Sequence, residues 1–308
     1  CCAIGYGGDQ GMAIAEAVPQ QATKPQLPVL LSGAAQRSET ESITFDFAEL
    51  LGRKRRFLQA AWTLRREGII RIKQVAQPES IDALNQEIAS LLNDVDHYTT
   101  SGIDNIAYLN LPERRVLKGY NNFVDADRAV INHRVKRPDG RSGSDAGMID
   151  IFHPEQLSKK MDNLTQICLQ EKVIRRLIML SCLTPLRVKC RNLYLNRGVR
   201  DTRSYHCDGR SLKFKSFVYL SDVQHLDIGP YCYVKKSQRN RRSWKQSRAF
   251  NQQHGYGPYE YSQLGGYEAL PVFANAGDMV ISSQRGAHRG HPQHPDAQRT
   301  VLVNMYQR

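Results

Sequence analysis

The spacing of apolar and polar positions predicts helices in the first third of the chain and short strands in the last. Residues 45–68 place Phe47, Leu50, Leu51, Phe57, Leu58, Ala61 and Leu64 at helical intervals, and Gly68 is a natural helix stop. The run Gly68-Ile69-Ile70-Arg71-Ile72-Lys73-Gln74-Val75 is β-branched and partly alternating, which predicts a strand. Pro78-Glu79-Ser80 opens another helix, with Ile81, Leu84, Ile88, Leu91 and Leu92 on one face. Residues 95–147 are polar and rich in Gly, Asn and Asp, and read as a long functional loop or lid. Helical spacing returns over 154–180. After Pro185 the pattern becomes β, with strands expected over 186–195, 212–220, 231–234, 270–273, 279–282 and 300–306. Helices followed by several short strands describe an α+β fold with a β-sandwich or barrel core.

Composition narrows the class. Residues 1–42 are rich in Gly, Ala, Gln, Pro and Ser without a sustained period, so they read as a disordered tail before one domain over 43–308. No apolar run approaches the roughly 20 residues of a membrane span, and Arg175 and Arg176 interrupt the best candidate. The seven cysteines include no CxxC pair and read as free thiols in a reducing compartment. The first residues lack a basic-then-apolar leader pattern, so a cytoplasmic location is expected. Lys and Arg outnumber Asp and Glu by 43 to 30, giving a net charge of +13. Much of the excess lies in 235–248, where Lys235, Lys236, Arg239, Arg241, Arg242, Lys245 and Arg248 meet no acid; Arg53 to Arg56 form a second cluster. Such patches attract anions of any kind.

The chemistry centres on His206-Cys207-Asp208. On an extended backbone, residues i and i+2 share a face, so the imidazole and the carboxylate converge while Cys207 points away. His288 follows at the end of the strand predicted over 279–282 and its turn. Two histidines and one carboxylate on one face of a metal form the facial triad of non-haem Fe(II) oxygenases, which leaves positions open for co-substrate and dioxygen. Arg299 stands eleven residues after His288, at the start of an apolar strand, and its fork can pair with the far carboxylate of a dicarboxylate such as 2-oxoglutarate.

The order of these features resembles the phytanoyl-CoA dioxygenase family. It comprises the HxD, the strand Phe217-Val218-Tyr219-Leu220-Ser221-Asp222-Val223, the run Gly229-Pro230-Tyr231-Cys232-Tyr233-Val234, Gly277-Asp278, the distal His288 and Arg299. The lead-in over 45–93 is similar to that family's N-terminal region, so the resemblance spans about 45–308. It implies a double-stranded β-helix (a jelly-roll, cupin-like core) with flanking N-terminal helices. It also implies a dioxygenase that uses Fe(II), 2-oxoglutarate and dioxygen to hydroxylate an unactivated C–H bond of a small molecule, with release of succinate and carbon dioxide. By position, His206, Asp208 and His288 would hold iron and Arg299 the co-substrate, with Asn196 and Tyr219 as further co-substrate contacts. Family members commonly read Gly-Ser-His after the GPYCYV-like strand, where this chain has Lys236-Ser237-Gln238, so the local turn is expected to differ. Halogenating relatives lack the carboxylate that Asp208 supplies, which favours oxygen transfer here. An anionic or carrier-tethered substrate is expected from the 235–248 patch, and residues 95–153 and 235–268 are expected to line or cover the pocket.

Other readings of the same residues carry less. His288, His291 and His294 recur every three residues, but no Cys or carboxylate at zinc-finger spacing accompanies them. His153 reads as a helix-start or core residue. No GxSxG elbow, P-loop or dinucleotide fingerprint is present outside the tail. The alternative is a nucleic-acid-binding or nucleic-acid-modifying protein that uses the 235–248 patch, with Trp244, Phe250, Tyr256, Tyr259 and Tyr261 as stacking surfaces.

Overall fold

A computed structural model describes residues 24–100, 115–118, 125–126, 128–137 and 140–308, with side chains for all of these except 92–100 and 115–118. In chain order the elements are β1 (Val29–Leu30), α1 (Gly33–Glu41), β2 (Thr44–Asp46), α2 (Phe47–Gly52), α3 (Lys54–Glu67), β3 (Ile69–Lys73), α4 (Pro78–Thr100), β4 (Arg115–Lys118), β5 (Val130–His133) and β6 (Met148–Phe152). There follow α5 (Lys159–Leu169), α6 (Glu171–Cys182), β7 (Arg187–Arg197), β8 (Lys213–Tyr219), β9 (Tyr231–Tyr233), α7 (Arg241–His254), β10 (Glu268–Val272), β11 (Met279–Ser283), β12 (His288–Gly290) and β13 (Gln298–Gln307).

Two sheets organise the described residues. The larger runs β2-β3-β11-β8-β13-β7-β6-β5-β4 and the smaller β1-β10-β9-β12. Pairing is antiparallel except for β1–β10, β2–β3 and β4–β5. The period-2 alternation of the central strands sorts their side chains. Leu193, Leu195, Phe214, Val218, Ile281 and Leu302 join the helices in the main core, together with Leu64, Leu84, Leu169 and Leu177. The opposite face of the same sheet meets the smaller sheet through Phe217, Tyr219, Val280 and Val301 against Tyr231, Tyr233, Leu270 and Val272. The mixed α+β class with large antiparallel sheets agrees with the sequence reading.

Several boundaries differ for identifiable reasons. Residues 24–42 are part of the fold rather than a tail, while 1–23 lie outside the described residues. Helix α1 escapes an apolar-period reading because its inward residues are polar: Gln36 donates to Thr40 Oγ1 at 2.9 Å and to the Pro271 carbonyl at 3.0 Å. Residues 45–68 are not one helix. Asp46 closes β2 and caps α2 by accepting from Ala48 N at 2.9 Å, and Arg53, with extended backbone, separates α2 from α3. This break leaves Leu51 and Leu58 exposed. Gly68 does end α3, at φ 82°, and the following peptide enters β3 directly. The helical run over 154–180 divides at Gln170, and the region read as loop over 95–147 contains β4 and β5. The five described cysteines are free thiols; Cys1 and Cys2 lie outside the described residues. No helix among the described residues is long and apolar enough to cross a membrane.

Candidate metal centre

His206 and His288 are held face to face by the backbone. Each donates its amide hydrogen to the other's carbonyl at 3.0 Å, an antiparallel pair that puts both side chains on one side. Their ring centroids lie 4.5 Å apart. His206 makes an isolated bridge rather than lying in a strand, so its convergence with Asp208 comes from this pairing and from Asp208 N donating to the Gln284 carbonyl at 2.9 Å. One ligand atom from each of His206, Asp208 and His288 lies within 4.8 Å of the other two. Among the described residues this is the group of His, Cys, Asp or Glu side chains that could hold a metal ion.

The donor set fits a divalent metal. His206 Nδ1 lies 2.8 Å from the Ser204 carbonyl, and His288 Nδ1 lies 2.9 Å from the Gly286 carbonyl. A carbonyl only accepts, so each Nδ1 carries the proton and each Nε2 presents a lone pair to the centre. Nε2 of His206 is buried without a hydrogen-bond partner. Burial, reinforced by the Arg203 guanidinium, holds His206 well below the usual imidazole range, and burial pushes His288 down to about 4. Both rings are therefore neutral ligands at pH 7. Burial works against ionisation of Asp208, but Lys215 and the two histidines outweigh it and hold the carboxyl well below its ordinary value.

A cavity between the two sheets opens beside this group. Its walls include Tyr194 and Asn196 from β7, Lys215, Phe217 and Tyr219 from β8, Tyr231 from β9, and Arg299 and Val301 from β13. Strand register sets their order. Met148, Asn196 and Arg299 occupy one cross-strand row, Val301 and Tyr219 share the next, and Lys215 lies towards the far end of β8. Arg299 donates through Nη1 to the Gly229 carbonyl, whereas its enclosed Nε has no partner. The Asn196 Oδ1 atom is also buried and unpartnered. Burial pushes the Tyr219 phenol up to about 12, so it stays a neutral donor.

Five of the six residues singled out in the sequence line this space, and Asp208 adjoins it through its grouping with His206 and His288. Lys215 and Gln284 were not singled out. Lys215 Nζ lies 2.7 Å from Asp208 Oδ2, and burial, which opposes its charge, is overridden by Asp208. Period-2 parity with Phe217 and Tyr219 was the signal for it. Gln284 donates to Ser282 Oγ at 2.8 Å and leaves its buried Oε1 unpartnered.

Arg134, Asp145 and Met148 from the expected lid region line the cavity, but no residue of 235–268 does. The basic segment folds instead as the turn before α7 and α7 itself. Lys235 pairs with Glu39, and Lys236 lies 3.8 Å from Glu67, so acids distant in sequence meet two of its cations. Trp244 packs against Tyr261 at 5.4 Å with Arg210 over its ring, while Tyr256 and Tyr259 are exposed. Lys236 supplies the tight turn at φ 64°, and Ser237 Oγ accepts from Ala287 N at 2.8 Å. This ties the turn to the residue just before His288. His153 lies outside the cavity walls, next to Cys190 and Glu155. His291 and His294 also lie outside them.

No protein-family model matches the chain, and no curated protein matches it. Solved structures do. The non-heme alpha ketoglutarate dependent epimerase SnoN from nogalamycin biosynthesis superposes with a TM-score of 0.52 at 15% identity, over 82% of this chain and 83% of SnoN. The non-heme alpha ketoglutarate dependent carbocyclase SnoK from nogalamycin biosynthesis gives 0.52 at 16%, over 80% and 82%. AviO1 from Streptomyces viridochromogenes Tue57 gives 0.50 at 17%, over 81% and 94%. At these identities the likeness is one of fold.

Proposed function

We propose that the chain is a mononuclear non-haem Fe(II)- and 2-oxoglutarate-dependent oxygenase with a double-stranded β-helix core of the phytanoyl-CoA dioxygenase kind. The observation that carries this reading is the convergence of His206, Asp208 and His288 beside a cavity that Arg299 also lines. The likeness in fold to SnoN and SnoK, both alpha ketoglutarate dependent, supports it.

His206, Asp208 and His288 would hold Fe(II). Iron held there together with 2-oxoglutarate would supply the activation of dioxygen for oxygen transfer, with release of succinate and carbon dioxide. The protein's own contribution is position and dryness. The Ser204 and Gly286 carbonyls fix the two imidazole tautomers. Arg299, which lines the cavity and whose buried Nε has no partner, would pair with the far carboxylate of 2-oxoglutarate, with Asn196 and Tyr219 as further contacts. Phe217, Tyr231 and Val301 exclude water from the space between. Arg134, Asp145 and Arg203 at the cavity wall provide polar contacts for a small-molecule substrate, and hydroxylation of an unactivated C–H bond is the outcome we assign. A carboxylate at position 208 keeps a protein ligand in the place that halogenation would need open.

The test is Fe(II)-dependent succinate formation from 2-oxoglutarate by the parent chain and by His206→Ala and Asp208→Ala. Both variants are expected to lose stoichiometric iron and turnover. Iron-dependent succinate production at the parent rate by either one would remove the triad.

A further inference from the structure

Asp208 is gripped from one strand at two points. Lys215 Nζ meets its Oδ2 at 2.7 Å, and Lys213 Nζ, two residues earlier on the same face of β8, donates to its main-chain carbonyl at 3.1 Å. Oδ1, by contrast, faces the histidines, 3.7 Å from His206 Nε2 and 3.8 Å from His288 Nε2. The side chain of Lys215 is only 15% exposed. A cation fixed in a poorly hydrated wall, beside three candidate ligands, has a cost that a solvent-facing lysine avoids. Ligand-orienting partners of this kind tune a metal as well as place it.

We propose that Lys215 is a positioning residue of the metal centre: it pins Asp208 so that Oδ1 alone is offered to the metal, and its charge biases the centre towards ferrous over ferric iron. The inference rests on the metal-centre reading above. Its physical core is that a fixed positive charge repels a trication more than a dication at the same place, since Coulomb energy scales with the ion's charge. For one ion, pinning and repulsion oppose each other, so affinity alone does not reveal the lysine's role. The ratio of Fe(III) to Fe(II) binding isolates the charge.

The experiment loads the full chain anaerobically with Fe(II), without co-substrate, and measures the midpoint potential of bound iron by mediated titration. Lys215→Gln keeps a donor and removes the charge, while Lys215→Arg keeps the charge. For K215Q the ratio of Fe(III) to Fe(II) binding should rise at least tenfold, a fall of 59 mV for a one-electron couple. For K215R it should stay within twofold of the parent. A K215Q binding ratio within twofold of the parent's overturns the proposal, as does a K215R ratio that rises as far as that of K215Q. If K215Q does not fold, Lys215→Met takes its place with the same two outcomes. His206→Ala separates the two levels: if it holds iron at the parent potential, the metal sits elsewhere, and the metal-centre reading fails together with this inference. If H206A loses iron while K215Q keeps the parent potential, this inference alone fails.

Discussion

Arg299→Ala should decouple the co-substrate from the metal, and the structure sets the size of the effect. In the absence of ligand, Arg299 is a partly buried cation with one carbonyl partner and an unpartnered Nε, and burial lowers its pKa. Its removal from the ligand-free protein therefore forfeits little, because no acid is left behind unpaired. With 2-oxoglutarate bound, the same truncation deletes one half of a desolvated charge pair, worth about 2–5 kcal/mol, or roughly 30- to 5,000-fold in Kd. Melting curves of protein loaded with a redox-inert divalent metal make this visible. At a 2-oxoglutarate concentration of about 100 times the parent Kd, the parent gains about 2.7 kcal/mol. A variant weakened about 100-fold gains only about 0.4 kcal/mol at that concentration. At roughly 2 °C per kcal/mol, the ligand-induced rise in Tm should shrink by about 5 °C. Pyruvate, a 2-oxo acid without the far carboxylate, is the control and should shift both proteins equally. If the variant still prefers 2-oxoglutarate to pyruvate by the parent's factor, another residue anchors the far carboxylate.

Two further outcomes follow from other parts of the site. His288 has a folded pKa of about 4 against 6.5 for the free side chain, so the unfolded chain binds its proton first. Its neutral burial therefore contributes stability that is present above pH 6.5 and lost as pH falls towards 4, up to about 3 kcal/mol. Urea unfolding of metal-free protein should show this loss, and His288→Asn should flatten it; equal slopes for both would refute the assignment. Asp278, which pairs with Arg71 at 2.6 Å and accepts from Gln74 N at 3.1 Å and Asn275 N at 3.0 Å, holds the turn before β11. Asp278→Ala should cost about 3–5 kcal/mol in urea unfolding, because Arg71 is left buried without its acid. A loss below about 1 kcal/mol would show that the turn holds without the pair.

The sequence was most legible where one face of an element is apolar and the other is not. Strands β7, β8 and β13 show this contrast, and each contributes residues to the cavity wall. Strands β5 and β6 did not, because Asn132 and Asp150 are buried polar residues within them, and Asn192 Nδ2 must bond Asp150 at 2.9 Å to keep that acid inside. Helix α7 was hidden by its composition, since it buries only Ser243, Ser247 and Asn251 along its length. The candidate metal ligands were legible because HxD, a distal histidine and Arg299 eleven residues later stand together in one order. Lys215 was not, since a lysine on a strand ordinarily marks the solvent side and only its shared parity with Tyr219 says otherwise. The basic segment misled for a related reason: linear sequence showed its cations but not Glu39 and Glu67, which the fold brings to it.

The cavity wall is drawn in pairs two residues apart: Tyr194 and Asn196, Phe217 and Tyr219, Arg299 and Val301. Their immediate neighbours Leu193, Leu195, Val218 and Leu302 belong to the main core on the sheet's other side. A single inserted or deleted residue in any of these strands would exchange the two sets, sending an arginine or a tyrosine into the core and leucines into the cavity. Substitution at the inward positions spares the main core but reaches the packing between the two sheets, where Phe217, Tyr219 and Val301 lie. On the proposed function, point changes at Tyr194, Phe217 and Val301 would reshape the cavity, whereas length variation is confined to the connections between the strands.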